Sequence, residues 1–327
     1  MFYVDDALWY TLCLVGSWLG IISVTTYVIA AIAQRCALCF PQNLKKKYGA
    51  EWALVTGASS GIGRAITEKL AQQEINVVLV ALDDPLLGKT LSELRHKYPG
   101  QSFRAVGVNL GEEGMRYMQP IIDSTKDIAI NLVFNNAGYV HTGFISDTSI
   151  DKLRSNMECN AGCTVSITHH FLGKILERGQ GGLVTFTSSA AAYLPGPTAT
   201  MYSPTKAFLT NFATSVAAEV RDAGVDVVVI HPSPVNTNFY KHEGPTLNSL
   251  KAAQAAVASP MDIANQIFAA AGRLTVWDHG LLCAAFRVLN KIIDFQLLTE
   301  IVVRTAWLNS DHRRLAVAST TRRPKHL

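Results

Sequence analysis

The 327-residue sequence predicts an α/β fold: a doubly wound parallel sheet in a single domain, with an N-terminal transmembrane helix and a C-terminal helical extension. Three observations predict it. Short β-branched runs alternate with stretches of helical apolar spacing. A glycine-rich turn joins the first run to the first of those helical stretches. Residues 7–33 contain no charged side chain. At 49% hydrophobic and 17% charged, the chain can bury an ordinary core, which excludes disordered, collagenous and disulfide-scaffold classes. A net charge of +4 is too small to point to nucleic acid.

The uncharged run Ala7–Ala33 comes first. Crossing the hydrocarbon core takes about 20 helical residues, so these 27 suffice with some tilt. A cleaved signal peptide would carry basic residues before a shorter apolar core; here Asp5 and Asp6 lead. The expectation is a membrane anchor over 1–34, with Trp9 and Tyr10 near its lumenal end. Arg35, Lys45, Lys46 and Lys47 follow in a linker, 35–50, and hold everything beyond it in the cytosol. The stretch 51–310 is then −2, so the positive charge lies in two flanks. The second flank, 311–327, carries Arg313, Arg314, Arg322, Arg323 and Lys325, which either touch anionic lipid or form a solvated end. The six cysteines show no framework spacing, and Cys36-x-x-Cys39 lacks a second ligand pair, so no metal site is expected. These juxtamembrane thiols are either acylation targets or plain apolar residues.

Strands are expected at Trp52–Thr56, Asn76–Leu82, Phe103–Val108, Ile128–Phe134, Leu183–Thr187 and Val225–Ile230. Helices are expected at Arg64–Gln73, Pro85–Lys97, Ile150–Glu177 and Met201–Ala223. Right-handed crossovers between parallel strands would place any ligand at their carboxyl ends.

Trp52–Gly63 reads WALVTGASSGIG, a strand, a T-G-x3-G-x-G turn and a helix start. Glycines let backbone approach a pyrophosphate, and the helix N-terminus supplies unpaired N–H groups. Further on, Asn135-Asn136-Ala137-Gly138 closes the fourth run, Ser189 follows the fifth, and Tyr202-Ser-Pro-Thr-Lys206 opens the next helix. Tyr202 and Lys206, four apart, share a helix face. A neighbouring ammonium draws a phenol's pKa down from about 10. Such a phenol can protonate a carbonyl oxygen or take the proton back.

In this order, the motifs resemble those of the short-chain dehydrogenase/reductases, over roughly residues 50–275. The 13-residue step from Ser189 to Tyr202 is typical of that family and favours Ser189 over Ser188. The resemblance implies a Rossmann-type domain over 51–275 and an NAD(P)-dependent oxidoreductase acting between C=O and CH–OH. It implies Tyr202 as proton donor, Lys206 holding the nicotinamide ribose, Ser189 orienting the substrate oxygen and Asn160 supporting a proton-relay water. It implies cofactor contacts at Gly57, Ser59, Ser60, Gly61, Ile62, Gly63, Asp83, Asn109, Asn136, Ala137, Gly138, Pro232, Val235 and Thr237, besides Tyr202 and Lys206. His231 reads as structural rather than catalytic.

The sequence departs from the family pattern at three places. Ser60 and Leu82 stand where NADP(H) users commonly carry a basic residue, and Asp83 and Asp84 follow. A carboxylate there favours the 2′-hydroxyl of NAD(H), yet the usual NAD-selecting aspartate aligns with Ala81. Arg64 could reach a phosphate, so NADP(H) and NAD(H) both stay open. Asn109 replaces an aspartate that commonly contacts adenine, and Ser233 stands in place of a glycine.

The anchor, the linker into YGAEWALVTGASSGIG, the proline-rich stretch before Tyr202 and His279-Gly280-Leu281 resemble the membrane-anchored 17β-hydroxysteroid dehydrogenase/very-long-chain 3-oxoacyl-CoA reductase branch. That resemblance implies an endoplasmic reticulum membrane protein with a cytosolic domain, a hydrophobic ketone substrate (a fatty-acyl ketone before a steroid) and a homodimer through helices near 150–177 and 201–223. The rival is a non-catalytic nucleotide-binding subunit of a membrane assembly. The extension, 276–310, gathers Arg287, Asn290, Lys291 and Asp294 on one helical face. It either lies at the membrane or packs on the domain's own core. Residues 238–257 read as the substrate-specificity segment.

Overall fold

The structure, a computed structural model, describes residues 6–237, 239 and 258–319. Apart from residue 239, the expected specificity segment lies outside the described residues, as do the basic residues at 322, 323 and 325. The chain divides into two units, Met1–Pro41 and Gln42–Leu327. In the first, helix α1 (Asp6–Leu38) is 33 residues long and apolar enough to cross a membrane. The short helix α2 (Leu44–Tyr48) opens the second.

Seven parallel strands run through the described part of the second unit. They are β1 (Trp52–Thr56), β2 (Asn76–Ala81), β3 (Phe103–Gly107), β4 (Ile130–Asn135), β5 (Gly182–Thr187), β6 (Val225–His231) and β7 (Val276–Asp278), in the spatial order 3-2-1-4-5-6-7. β4 and β5 are buried along their whole length, as expected for strands covered on both faces. Helices α3 (Gly61–Gln72), α4 (Pro85–Lys97) and α5 (Met118–Thr125) come before β4. α6 (Ile150–Met157) and α7 (Cys163–Arg178) lie between β4 and β5, α8 (Tyr202–Val220) between β5 and β6, and α9 (Pro260–Ala270) before β7. Leu54, Val78, Val133, Val184, Phe186 and Val229 form one apolar core with Ile167, Phe171 and Leu209. Burying each such side chain contributes about 1.5–3 kcal/mol.

Local chemistry starts the helices where expected. Asp84 caps α4 by accepting from the Leu87 amide at 3.0 Å, with Pro85 in the first turn. Ser259 and Asp262 form a capping box on α9. Two expectations are revised. The helix expected over 150–177 is broken by one π turn, Glu158–Gly162, where the Cys163 amide donates to the Glu158 carbonyl. The sheet also runs past residue 275, because β7 pairs with β6 at Val229–His231. Three residues are too few to show a period. Beyond β7 lie α10 (Gly280–Ile292), α11 (Phe295–Thr305) and α12 (Ser310–Ala318).

The strand order reverses between β1 and β4, and a crevice opens there at the carboxyl ends. Every strand from β1 to β6 delivers a predicted site residue to that edge.

Candidate active site

The turn after β1 is shaped by close backbone approach. Gly61 has φ +56°, and a Cβ there would come within 2.8 Å of the Thr237 methyl. A Cβ on Gly63 would overlap the Gly57 carbonyl and stand 2.7 Å from Asn136 Nδ2. Only hydrogen fits these places, and α3 begins at the same point with no side chain capping it from Ser60. Ser59 is fixed by its carbonyl, which accepts from Thr90 Oγ1 at 2.9 Å, and Ile62 is half-buried. The result is a concave run of backbone at a helix N-terminus, a shape that suits a pyrophosphate.

β4 contributes the opposite wall. Asn136 Nδ2 donates to the Thr56 carbonyl at 3.1 Å, and its Oδ1 accepts from Thr187 Oγ1 at 3.2 Å. The Thr56 hydroxyl accepts from the Asn136 and Ala137 amides at 2.9 and 3.0 Å, tying β1 to β4 across the crevice. Thr56 went unforeseen because a threonine in a strand carries no signal of its own. At the far edges, Asp83 leans over Gly107, so that a Cβ there would meet its Oδ1 at 2.7 Å. Asn109 Oδ1 accepts from the Gly111 amide at 3.0 Å. Arg64 is held by Glu68 at 3.2 Å and Glu93 at 2.6 Å. Pro232 accepts from the Ala190 amide through its carbonyl, and Val235 bridges to Ala258 beside Thr237.

The two serines after β5 part company. Ser188 turns into the protein, donating to the Lys206 carbonyl at 2.7 Å and meeting Thr210 Oγ1 at 3.0 Å. Ser189 is half-buried at the crevice, its hydroxyl accepting from the Ala191 amide at 3.1 Å. Tyr202 opens α8 with its ring 5.6 Å from Lys206 Nζ. Lys206 is 2% exposed; its ammonium donates to the Thr187 carbonyl at 2.8 Å and lies beside Gly138. Burial pulls its pKa from 10.5 down to about 8, because charge is costly where water is excluded. Asn160 sits in the π turn, fully buried, its Oδ1 accepting from the Tyr139 amide at 2.8 Å and its Nδ2 donating to the Tyr139 carbonyl at 2.9 Å. Its side chain is spent on backbone, while the π turn alters the carbonyl pairing around it.

Behind α8 runs a polar chain that spacing could not reveal. Thr210 meets His231 Nε2 at 2.9 Å, and His231 Nδ1 meets Asp278 at 3.0 Å. Asp278 also accepts from Tyr193 at 2.8 Å and pairs with Arg287. Burial would raise the Asp278 carboxyl, but hydrogen bonds from His231 and Arg287 overcome that and hold it well below the usual carboxylate range. Ser233, where a glycine was expected, donates to the His279 carbonyl at 2.6 Å and so ties β6 to the extension. Among the described residues, no three His, Cys, Asp or Glu side chains gather as a metal cage.

A family model described as short chain dehydrogenase matches residues 51–248. The chain is 27% identical to a very-long-chain 3-oxoacyl-CoA reductase of Laccaria bicolor over 87% of its own length and 85% of that protein's. It is 29% identical to 17-beta-hydroxysteroid dehydrogenase type 3 of Mus musculus, over 64% of its length and 67% of that protein's. A solved 7beta-hydroxysteroid dehydrogenase shares the fold, with a TM-score of 0.68 at 24% identity over 77% of this chain and 95% of that one.

Proposed function

Because the chain belongs to the short-chain dehydrogenase family of oxidoreductases, which bind NAD(P), we propose that it interconverts a lipid-like ketone and its secondary alcohol from an anchored position on the endoplasmic reticulum membrane. The observation that carries the reading is the placement of Lys206. A buried ammonium lies 5.6 Å from the Tyr202 ring and is held by the strand end that leads into Ser189. The glycine cradle fits a dinucleotide, which supplies or takes up a hydride when bound.

The chain's own residues manage the oxygen. Ser189 Oγ donates to the substrate oxygen and orients it. Tyr202 gives that oxygen its proton during reduction and recovers it during oxidation. Lys206 favours the phenolate through its charge, which makes the proton easier to give during reduction. The fixed Asn160 side chain holds the π turn on the 139 backbone, so that a carbonyl of this turn can accept from a water on the proton's way out. Gly57, Gly61 and Gly63 admit the pyrophosphate, and Asn136, Ala137 and Gly138 form the facing wall.

For the cofactor we favour NAD(H). Asp83 puts a carboxylate beyond β2, and Glu68 and Glu93 already occupy Arg64, the cation considered for a 2′-phosphate. A 3-oxoacyl thioester ranks first as substrate and a 17-ketosteroid second, in keeping with the named relatives. Residues 1–34 would be the anchor, with the domain cytosolic and the subunits paired through α6 to α8.

The test is turnover of a long-chain 3-oxoacyl thioester beside a 17-ketosteroid, with NADH and with NADPH, for the wild type and Tyr202→Phe. The variant should lose about 10²–10⁴ in kcat while still binding cofactor. Unchanged turnover would remove Tyr202 from the chemistry.

A further inference from the structure

Helix α10 is packed inside out for a helix in water. Its residues sort by helical period into two faces. The face toward the protein is Cys283, Arg287 and Asn290. Cys283 is buried, with its amide donating to Ser233 Oγ at 3.3 Å; Arg287 pairs with Asp278; Asn290 donates to the Tyr193 carbonyl at 3.1 Å. The outward face is Leu281, Ala285, Val288 and Ile292, with Leu281 90% and Ile292 77% exposed. The apolar surface continues onto Phe295, Leu297 and Val303 of α11 and onto Trp307 and Leu308 just beyond it, all exposed. Of the two readings open from sequence, packing on the domain's own core accounts for Cys283, Leu298 and Leu315 but leaves the outward apolar side of α10 uncovered. A contiguous exposed apolar surface of this kind marks an interaction site.

We propose that α10 and α11 form a bilayer-docking surface, lying in the plane of the membrane interface with Leu281, Val288, Ile292, Phe295 and Trp307 among the lipid chains. Two observations select lipid as the occupant. With Arg287 turned inward onto Asp278, residues 280–319 keep four Lys/Arg against three Asp/Glu, and Lys291 and Arg304 stand beside apolar residues of the outward face, as cations do in helices that lie on membranes. The chain also carries α1, and to that extent the inference rests on reading α1 as an anchor, which keeps a bilayer within reach of the domain. Docking would have a consequence at the site. Asn290 and Arg287 bond to Tyr193 and its partner Asp278, and Tyr193 ends the turn that begins after Ser189. α10 would then lie between the bilayer and the turn that ends at Tyr193, one helix away from the phase in which a lipid ketone dissolves.

The test uses full-length protein in phosphatidylcholine–phosphatidylserine vesicles with brominated acyl chains, and reads tryptophan quenching. Trp9→Phe and Trp18→Phe first remove the two tryptophans of α1, leaving Trp52, Trp277 and Trp307. Bromolipid should quench this background, and adding Trp307→Phe should remove at least two-thirds of the quenched signal. Val288→Asp with Ile292→Asp should lower the quenching about threefold while the detergent-solubilised variant still binds cofactor. Quenching that is absent, or unchanged by Trp307→Phe, overturns the proposal, as does an unquenched Trp307 in a cross-linked dimer. Carbonate extraction of the same vesicles judges α1 separately. Protein that resists extraction with Trp307 unquenched keeps the anchor and loses the docking surface. Protein that is extracted although Trp307 was quenched before extraction loses the anchor and keeps the docking surface.

Discussion

Replacing Lys206 by methionine should abolish turnover and raise the melting temperature. Methionine has nearly the same length and volume and carries no charge. Burial brings the lysine from 10.5 to about 8, and each tenfold change in proton affinity is about 1.4 kcal/mol. Holding the ammonium inside therefore costs the fold about 3 kcal/mol at pH 7. The substitution also removes the 2.8 Å hydrogen bond to the Thr187 carbonyl, worth about 1–2 kcal/mol. The balance is a gain of about 1–2 kcal/mol, or about 3–6 °C in a domain of this size. The pH dependence is the sharper test. Between about pH 8 and 10.5 the unfolded lysine keeps a proton that the folded one has released, so wild-type stability rises with pH there and the variant's does not. Differential scanning fluorimetry of cofactor-free protein in detergent, at pH 7 and pH 10, should show the variant's advantage closing or reversing at the higher pH. A variant that melts lower at pH 7, with a gap that does not change with pH, would refute the desolvation argument.

Gly63→Ala forces its Cβ against the Gly57 carbonyl and Asn136; a backbone shift of about 2 kcal/mol should weaken dinucleotide binding about 30-fold by calorimetry. Asp278→Asn removes the negative charge and one of the two oxygens that His231, Arg287 and Tyr193 share, leaving an NH2 facing a donor, and should cost about 2–3 kcal/mol, or about 5–9 °C. Because the folded Asp278 carboxyl is held below its unfolded value, its contribution is present above about pH 4 and is lost as pH falls further. The two melting curves should therefore converge only in acid. In steady-state kinetics, NADH should exceed NADPH about tenfold in kcat/KM, and Asp83→Ser should narrow the ratio. Equal rates in the wild type would remove Asp83 from cofactor choice.

Much of the site was legible because its residues sit at strand ends and helix starts, where local chemistry decides conformation. The turn from Gly57 to Gly63 is read from its place after the first strand, and spacing puts Tyr202 and Lys206 on one helix face, while the roles expected of them come from the family resemblance. The choice between Ser188 and Ser189 rests on a family spacing, and the two hydroxyls differ in their bonds: Ser188 donates to the Lys206 carbonyl in α8, whereas Ser189 accepts from the Ala191 amide of its own turn. The π turn at 158–162 was hidden, because a single inserted residue hardly disturbs an apolar period over 28 positions. The chain from Ser188 through His231 to Asp278 was hidden too, since its members are up to 90 positions apart.

The sequence by itself determined the alternation of strands and helices, the glycine cradle, the uncharged run of α1 and the order of the motifs at Asn135–Gly138, Ser189 and Tyr202–Lys206. These are set by dihedral preference, helical period and charge over a few neighbouring residues. Tertiary structure alone decided which face of α10 turns inward. Its amphipathic pattern permits either side, and the direction follows from Asp278, Ser233 and Tyr193, which come from three other segments to meet Arg287, Cys283 and Asn290. Asp278, carried into the interior by β7, would be a costly unpaired charge without a cation, so the side of α10 that bears Arg287 is the one turned inward.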